Sequence, residues 1–118
     1  HWVEVVRREL PVRNLPAALA GRTLAQVSDL HVGPRVDSAY LAAALRTASA
    51  LNPDLVALTG DFVSATSADR VDEVARVLGH LAPPPLGAFA VLGNHDYGES
   101  WADAAAGDRL AARLTGLG

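Results

Sequence analysis

The sequence contains no cysteine, which excludes disulfides, thiolate metal sites and a cysteine nucleophile. Any metal must therefore be held by oxygen and imidazole. Lysine is absent too: all ten basic side chains are arginine, so neither a Schiff-base lysine nor the lysine of a P-loop is available. No apolar run approaches the roughly 18 residues needed to span a bilayer, and no signal peptide is visible. No stretch is rich in arginine and the formal net charge is −3, so the basic stripe of a nucleic-acid binder is missing. Neither G-x-G-x-x-G nor G-x-x-x-x-G-K-[ST] occurs, which speaks against a nucleotide-binding α/β domain.

What is there suits a packed core. Half of the 118 residues are hydrophobic, enough to argue against disorder, and the length allows at most one domain. Residues 2–10 (WVEVVRREL) read as an edge strand carrying charges. Short apolar runs at 23–28, 54–59 and 87–92 read as buried strands. Between them, Leu41, Ala44, Leu45, Ala48 and Leu51 recur at helical spacing over residues 38–51. Asp37 is the expected N-cap of that helix and Asn52-Pro53 its stop. A second helix is expected from about Asp69 to Leu81, with Val71, Val74, Leu78 and Leu81 on one face, broken by Pro83-Pro84-Pro85. A third is expected from about Trp101 to Leu114, with Leu110, Leu114 and Leu117 as its stripe and Gly116 as its terminal glycine. Strands alternating with helices, and apolar on both faces, indicate an α/β fold with a mainly parallel sheet covered by helices.

Each buried strand ends in metal-competent side chains. The first ends in Asp29 and His31, the second in Asp61, the third in Asn94, His95 and Asp96. In a parallel sheet the C-terminal strand ends share one edge, where ligands bind. Carboxylate, imidazole and amide oxygen together suit divalent ions such as Mn, Fe or Zn. Gly60 and Gly93 precede the polar groups and allow sharp turns and close approach. Each piece alone is weak, since Gly-Asp and Asx-rich stretches crowd ordinary turns. The ordered triplet, each member after a buried strand, carries the reading.

Asp-x-His, then Gly-Asp, then Gly-Asn-His-Asp, each after a hydrophobic strand, resembles the calcineurin-like metallophosphoesterases. Ala25-Gln26-Val27-Ser28-Asp29-Leu30-His31-Val32-Gly33 and Pro53-Asp54-Leu55-Val56-Ala57-Leu58-Thr59-Gly60-Asp61 are similar to the bacterial, often membrane-associated branch. The resemblance implies two divalent metal ions: Asp29 and His31 on the first, Asp61 bridging both, Asn94 on the second. It implies that His95 lies near the scissile phosphate, that Asp96 orients His95, and that a metal-bridging hydroxide attacks phosphorus. Substrates would be phosphomonoesters or phosphodiesters, small or lipid-linked.

The family completes its site with further histidines, including a Gly-His-x-His element, that residues 1–118 lack; His1 and His80 do not fit that pattern. Residues 1–118 are therefore expected to be the N-terminal portion of one domain, half of an α/β/β/α sandwich, weakly active or inactive alone. The chain starts at His1 rather than methionine, which leaves open a preceding signal or membrane anchor; the sequence does not fix the location, cytoplasmic or membrane-peripheral in bacteria. The alternative is a non-catalytic scaffold of the same fold, whose signature would be loss of the ligand residues. Of the remaining polar and aromatic residues, His80 suits a helix C-terminus. Tyr97 and Trp101 either line a pocket or pack, and Arg35 either meets a phosphate or is solvated.

Overall fold

The computed structural model describes residues 4–33, 36–63, 68–97 and 104–116. Three parallel strands form one sheet: β1 (Leu24–Val27), β2 (Leu55–Leu58) and β3 (Ala88–Ala90), in spatial order β1-β2-β3. Helix α1 (Ser38–Ala50) connects β1 to β2, α2 (Ala68–Leu78) connects β2 to β3, and α3 (Ala104–Thr115) follows β3. The strand–helix alternation read from the sequence is therefore observed, with strands one or two residues shorter at each end.

Register decides which side of each strand is buried. Ala25, Val56 and Ala88 stand level across the sheet, as do Val27, Leu58 and Ala90. Ala25, Val27, Val56, Leu58 and Ala88 belong to or pack on the core, together with Leu41 and Leu45 of α1, Val71, Val74 and Leu78 of α2, and Leu110 of α3. Each fully buried side chain of this size contributes roughly 1.5–3 kcal/mol. The neighbouring row, Gln26, Ala57 and Phe89, faces away, and Leu24, Phe89 and Val91 are exposed there. Helices thus cover one face rather than both, because right-handed crossovers between strands in the order 1-2-3 bring every connecting helix to the same side.

Local signals explain most helix ends. The Asp37 side chain accepts the Ala39 N–H at 2.9 Å, as an N-cap should. Helix α1 ends at Leu51, and Asn52 takes the left-handed conformation (φ 51°) before Pro53. Leu51 is exposed rather than part of the buried stripe, because it lies at the cap where the helix leaves the core. Helix α2 stops at Leu78, not Leu81: the Gly79, His80 and Leu81 N–H groups close a turn on Ala75, Val77 and Leu78 carbonyls. Ser38 Oγ donates to Glu73 at 2.8 Å between α1 and α2, and Arg113 meets Asp72 at 3.5 Å between α3 and α2. At the far edge of the sheet, Asp54 joins the starts of β1 and β2. It accepts the Thr23 N–H at 2.8 Å and the Thr23 hydroxyl at 3.2 Å, and lies 3.5 Å from Arg22.

One expected strand is absent among the described residues, and several expected roles fall on residues outside them. Residues 4–10 are exposed and form no strand. Alternating valines make a strand only when another strand accepts their backbone groups, and none does so among the described residues. Residues 1–3, Arg35, Trp101 and Leu117 lie outside the described residues. Tyr97 packs: Gly107 of α3 has no side chain, and a Cβ there would sit 2.5 Å from the Tyr97 ring.

Candidate metal centre

The loops after β1 and β2 run side by side beyond the strands. Thr59 N–H donates to Val27 O, Asp29 N–H to Gly60 O, His31 N–H to Asp61 O and Val32 N–H to Phe62 O, all at 2.8–3.0 Å. Parallel pairing therefore continues into the segments that carry Asp29, His31 and Asp61. All three adopt positive φ (58°, 47° and 52°). For a residue with a Cβ this costs about 1–2 kcal/mol, and such strain concentrates at functional sites. Leu30, between Asp29 and His31, is buried, so the two polar side chains turn to the opposite side.

They converge. His31 Nε2 lies 3.4 Å from Asp29 Oδ1 and 3.8 Å from Asp61 Oδ2. One ligand atom from each of Asp29, His31 and Asp61 falls within 4.8 Å of the others. The Ser28 hydroxyl donates to Asp29 Oδ2 at 2.6 Å. That bond, and then His31, holds the Asp29 carboxyl below its ordinary range against the opposing effect of desolvation. Two carboxylates and an imidazole, converging on one point from a packed edge, fit a divalent cation. Ser28 has no place in the sequence reading; a hydroxyl immediately before the first aspartate was its only signal.

The loop after β3 abuts the same place. A Cβ on Gly93 would land on Asp61 Oδ1 and 2.6 Å from the Asp61 nitrogen; one on Gly60 would lie 2.5 Å from the Gly93 nitrogen. The close approach expected of these two glycines is thus present, and it brings the backbone of Gly93 against Asp61. Asn94 opens a short 3-10 helix, Asn94–Tyr97, and is exposed. The backbone of His95 lies within that helix, and its side chain is outside the described residues.

Asp96 is fully buried. Its Oδ1 accepts the N–H groups of Phe62 (2.8 Å) and Val63 (3.2 Å), and its Oδ2 accepts that of Gly93 (2.8 Å). Burial pushes its carboxyl above the ordinary range; the three N–H donors oppose this, while the Asp61 charge adds to it. These backbone contacts went unread in the sequence, since nothing local marks them. A cleft of about 160 Å³ lined by Ser38, Glu73, Arg76, Val77 and His80 involves none of the cluster residues. His80 lies just past α2, with Nδ1 3.2 Å from Arg46 Nη1.

Residues 22–114 match the family described as calcineurin-like phosphoesterase. The chain belongs to that family. A transmembrane protein with metallophosphoesterase domain from Danio rerio is 38% identical over 94 residues, covering 80% of this chain and 21% of that protein. The UDP-2,3-diacylglucosamine pyrophosphatase LpxG of Chlamydia trachomatis is 41% identical over 87 residues, covering 71% of this chain and 26% of the enzyme. An uncharacterised metallophosphoesterase of Aquifex aeolicus is 32% identical over 97 residues, covering 82% of this chain and 36% of that protein. This metallophosphoesterase chain therefore spans about a fifth to a third of the length of these relatives. No solved structure matches it.

Proposed function

We propose that the intact protein hydrolyses a phosphomonoester or phosphodiester at a binuclear centre of Mn, Fe or Zn. Asp29 and His31 would hold one ion, Asp61 would bridge, and Asn94 would hold the second. The observation that supports this most is the convergence of Asp29, His31 and Asp61, from two loops about thirty residues apart, with ligand atoms within 4.8 Å of one another. When bound, two such ions neutralise phosphoryl oxygens and lower the pKa of a water between them, supplying a hydroxide nucleophile at neutral pH. The chain's own part is positional. The strained loops keep two carboxylates beside an imidazole, the Ser28 hydroxyl donates to Asp29, and His95 stands after Asn94 to stabilise charge or protonate the leaving oxygen. Asp96 is proposed to orient His95 as well.

The relatives support the substrate class proposed. The Chlamydia protein is by name a pyrophosphatase of a diacylated sugar nucleotide, and the Danio rerio protein is by name transmembrane. These favour a small or lipid-linked phosphoester met at a membrane surface, although no helix among the described residues is long and apolar enough to cross a bilayer. A non-catalytic scaffold would dispense with the ligand residues, whereas Asp29, His31, Asp61, Asn94 and His95 are all present.

The test uses Mn titration together with hydrolysis of p-nitrophenyl phosphate and bis-p-nitrophenyl phosphate. Asp61→Asn should lose bound metal and turnover together, because a neutral amide cannot bridge two dications. His95→Ala should keep the metal and lower turnover about 10²- to 10⁴-fold. A wild-type protein that binds none of Mn, Fe and Zn would end the reading, and loss of metal in His95→Ala would remove its assigned role.

A further inference from the structure

The loops after β1 and β2 are joined by their own main chains, through Asp29, His31 and Val32 N–H groups. The loops after β2 and β3 are joined differently. Among the described residues, their main-chain ladder ends at Val91 N–H to Leu58 O, 2.9 Å. Beyond it stands Asp96, whose single carboxylate takes Phe62 and Val63 on one oxygen and Gly93 on the other. Asp61 lies immediately before Phe62, and Asn94 immediately after Gly93.

We propose that Asp96 is a positioning residue that clamps the Asn94 loop onto the Asp61 loop, and so sets the affinity of the second metal ion while leaving the first nearly untouched. This rests on the binuclear reading above, and is additional to any contact Asp96 makes with His95. The chemistry requires a carboxylate. Ionised, it accepts on both oxygens, whereas an asparagine of the same shape accepts on one and donates on the other. With asparagine, the amide must point a donor either at Gly93 N–H or at the Phe62 and Val63 N–H groups, and one loop is released. The Asp29–His31–Asp61 cluster has its own main-chain bonds and does not depend on this clamp.

The experiment compares the intact wild-type protein with Asp96→Asn, counting bound Mn by electron paramagnetic resonance and following amide exchange in metal-free protein. Wild type should bind two ions with a spin-coupled signal. Asp96→Asn should keep one ion at near wild-type affinity, bind the second about 10- to 100-fold more weakly and lose the coupled signal. Combining it with Asn94→Ala should add nothing to the loss caused by Asn94→Ala alone, since both act on one ion. Equal binding of both ions by Asp96→Asn, or equal weakening of both, overturns the clamp.

A wild type that binds none of Mn, Fe and Zn sinks the binuclear reading instead, and amide exchange still judges the clamp. If one carboxylate holds both loops, the Gly93 amide must open together with those of Phe62 and Val63 in the metal-free wild type. Independent opening overturns the proposal, even if Asp96→Asn fails to fold.

Discussion

Gly60→Ala is the sharpest test of how closely the second and third loops meet. Two costs act at this position. Gly60 has φ 99°, in the range side chains avoid, which costs about 1–2 kcal/mol for an alanine. The new Cβ would also lie 2.5 Å from Gly93 N, 2.9 Å from Gly93 Cα and 3.0 Å from the Leu92 carbonyl carbon. All three are backbone atoms and cannot rotate aside, so overpacking adds about 1–3 kcal/mol. The total, about 2–5 kcal/mol, is a large part of the 5–15 kcal/mol that holds a typical domain folded. Gly21→Ala is the control, because Gly21 also has positive φ (78°) but nothing lies within 4 Å of its Cβ position. It should lose only the conformational part, about 1–2 kcal/mol. In urea unfolding with a slope near 2 kcal/mol per molar, the Gly60→Ala midpoint should fall about 0.5–1.5 M further than the control. Equal midpoint shifts for the two variants would mean that the loops after β2 and β3 do not touch, and the site geometry would be wrong.

Thr23 N–H, then the Thr23 hydroxyl and Arg22, hold the Asp54 carboxyl below its ordinary value of 3.8. A depressed carboxyl stabilises the fold fully above that value and loses the contribution as pH falls through the lower folded value, so Asp54→Asn should flatten stability against pH below about 4 in acid-unfolding curves; an unchanged slope would discount the contact. Leu45→Ala should cost about 2–5 kcal/mol, because Leu45 is fully buried. Leu51→Ala should cost under about 0.5 kcal/mol at its exposed cap; comparable losses by thermal melting would contradict the observed end of α1.

The sequence by itself determined the elements and the chemistry. Apolar runs bounded by glycine and proline, helical spacing over residues 38–51, the Asp37 cap and the residue types at positions 29, 31, 61 and 94–96 are local properties, written in near neighbours. Tertiary structure alone decided what depends on distant partners. Residues 4–10 have a strand's alternation, yet form none without another backbone to accept their N–H groups. The helices settle on one face because of strand order and crossover handedness, which no single segment encodes. Asp29, His31 and Asp61 come together as a candidate ligand set only when two loops lie parallel and twist into the left-handed region together. Asp96 reaches Phe62 and Val63 across more than thirty residues of chain, a contact set by where the β2 and β3 loops meet.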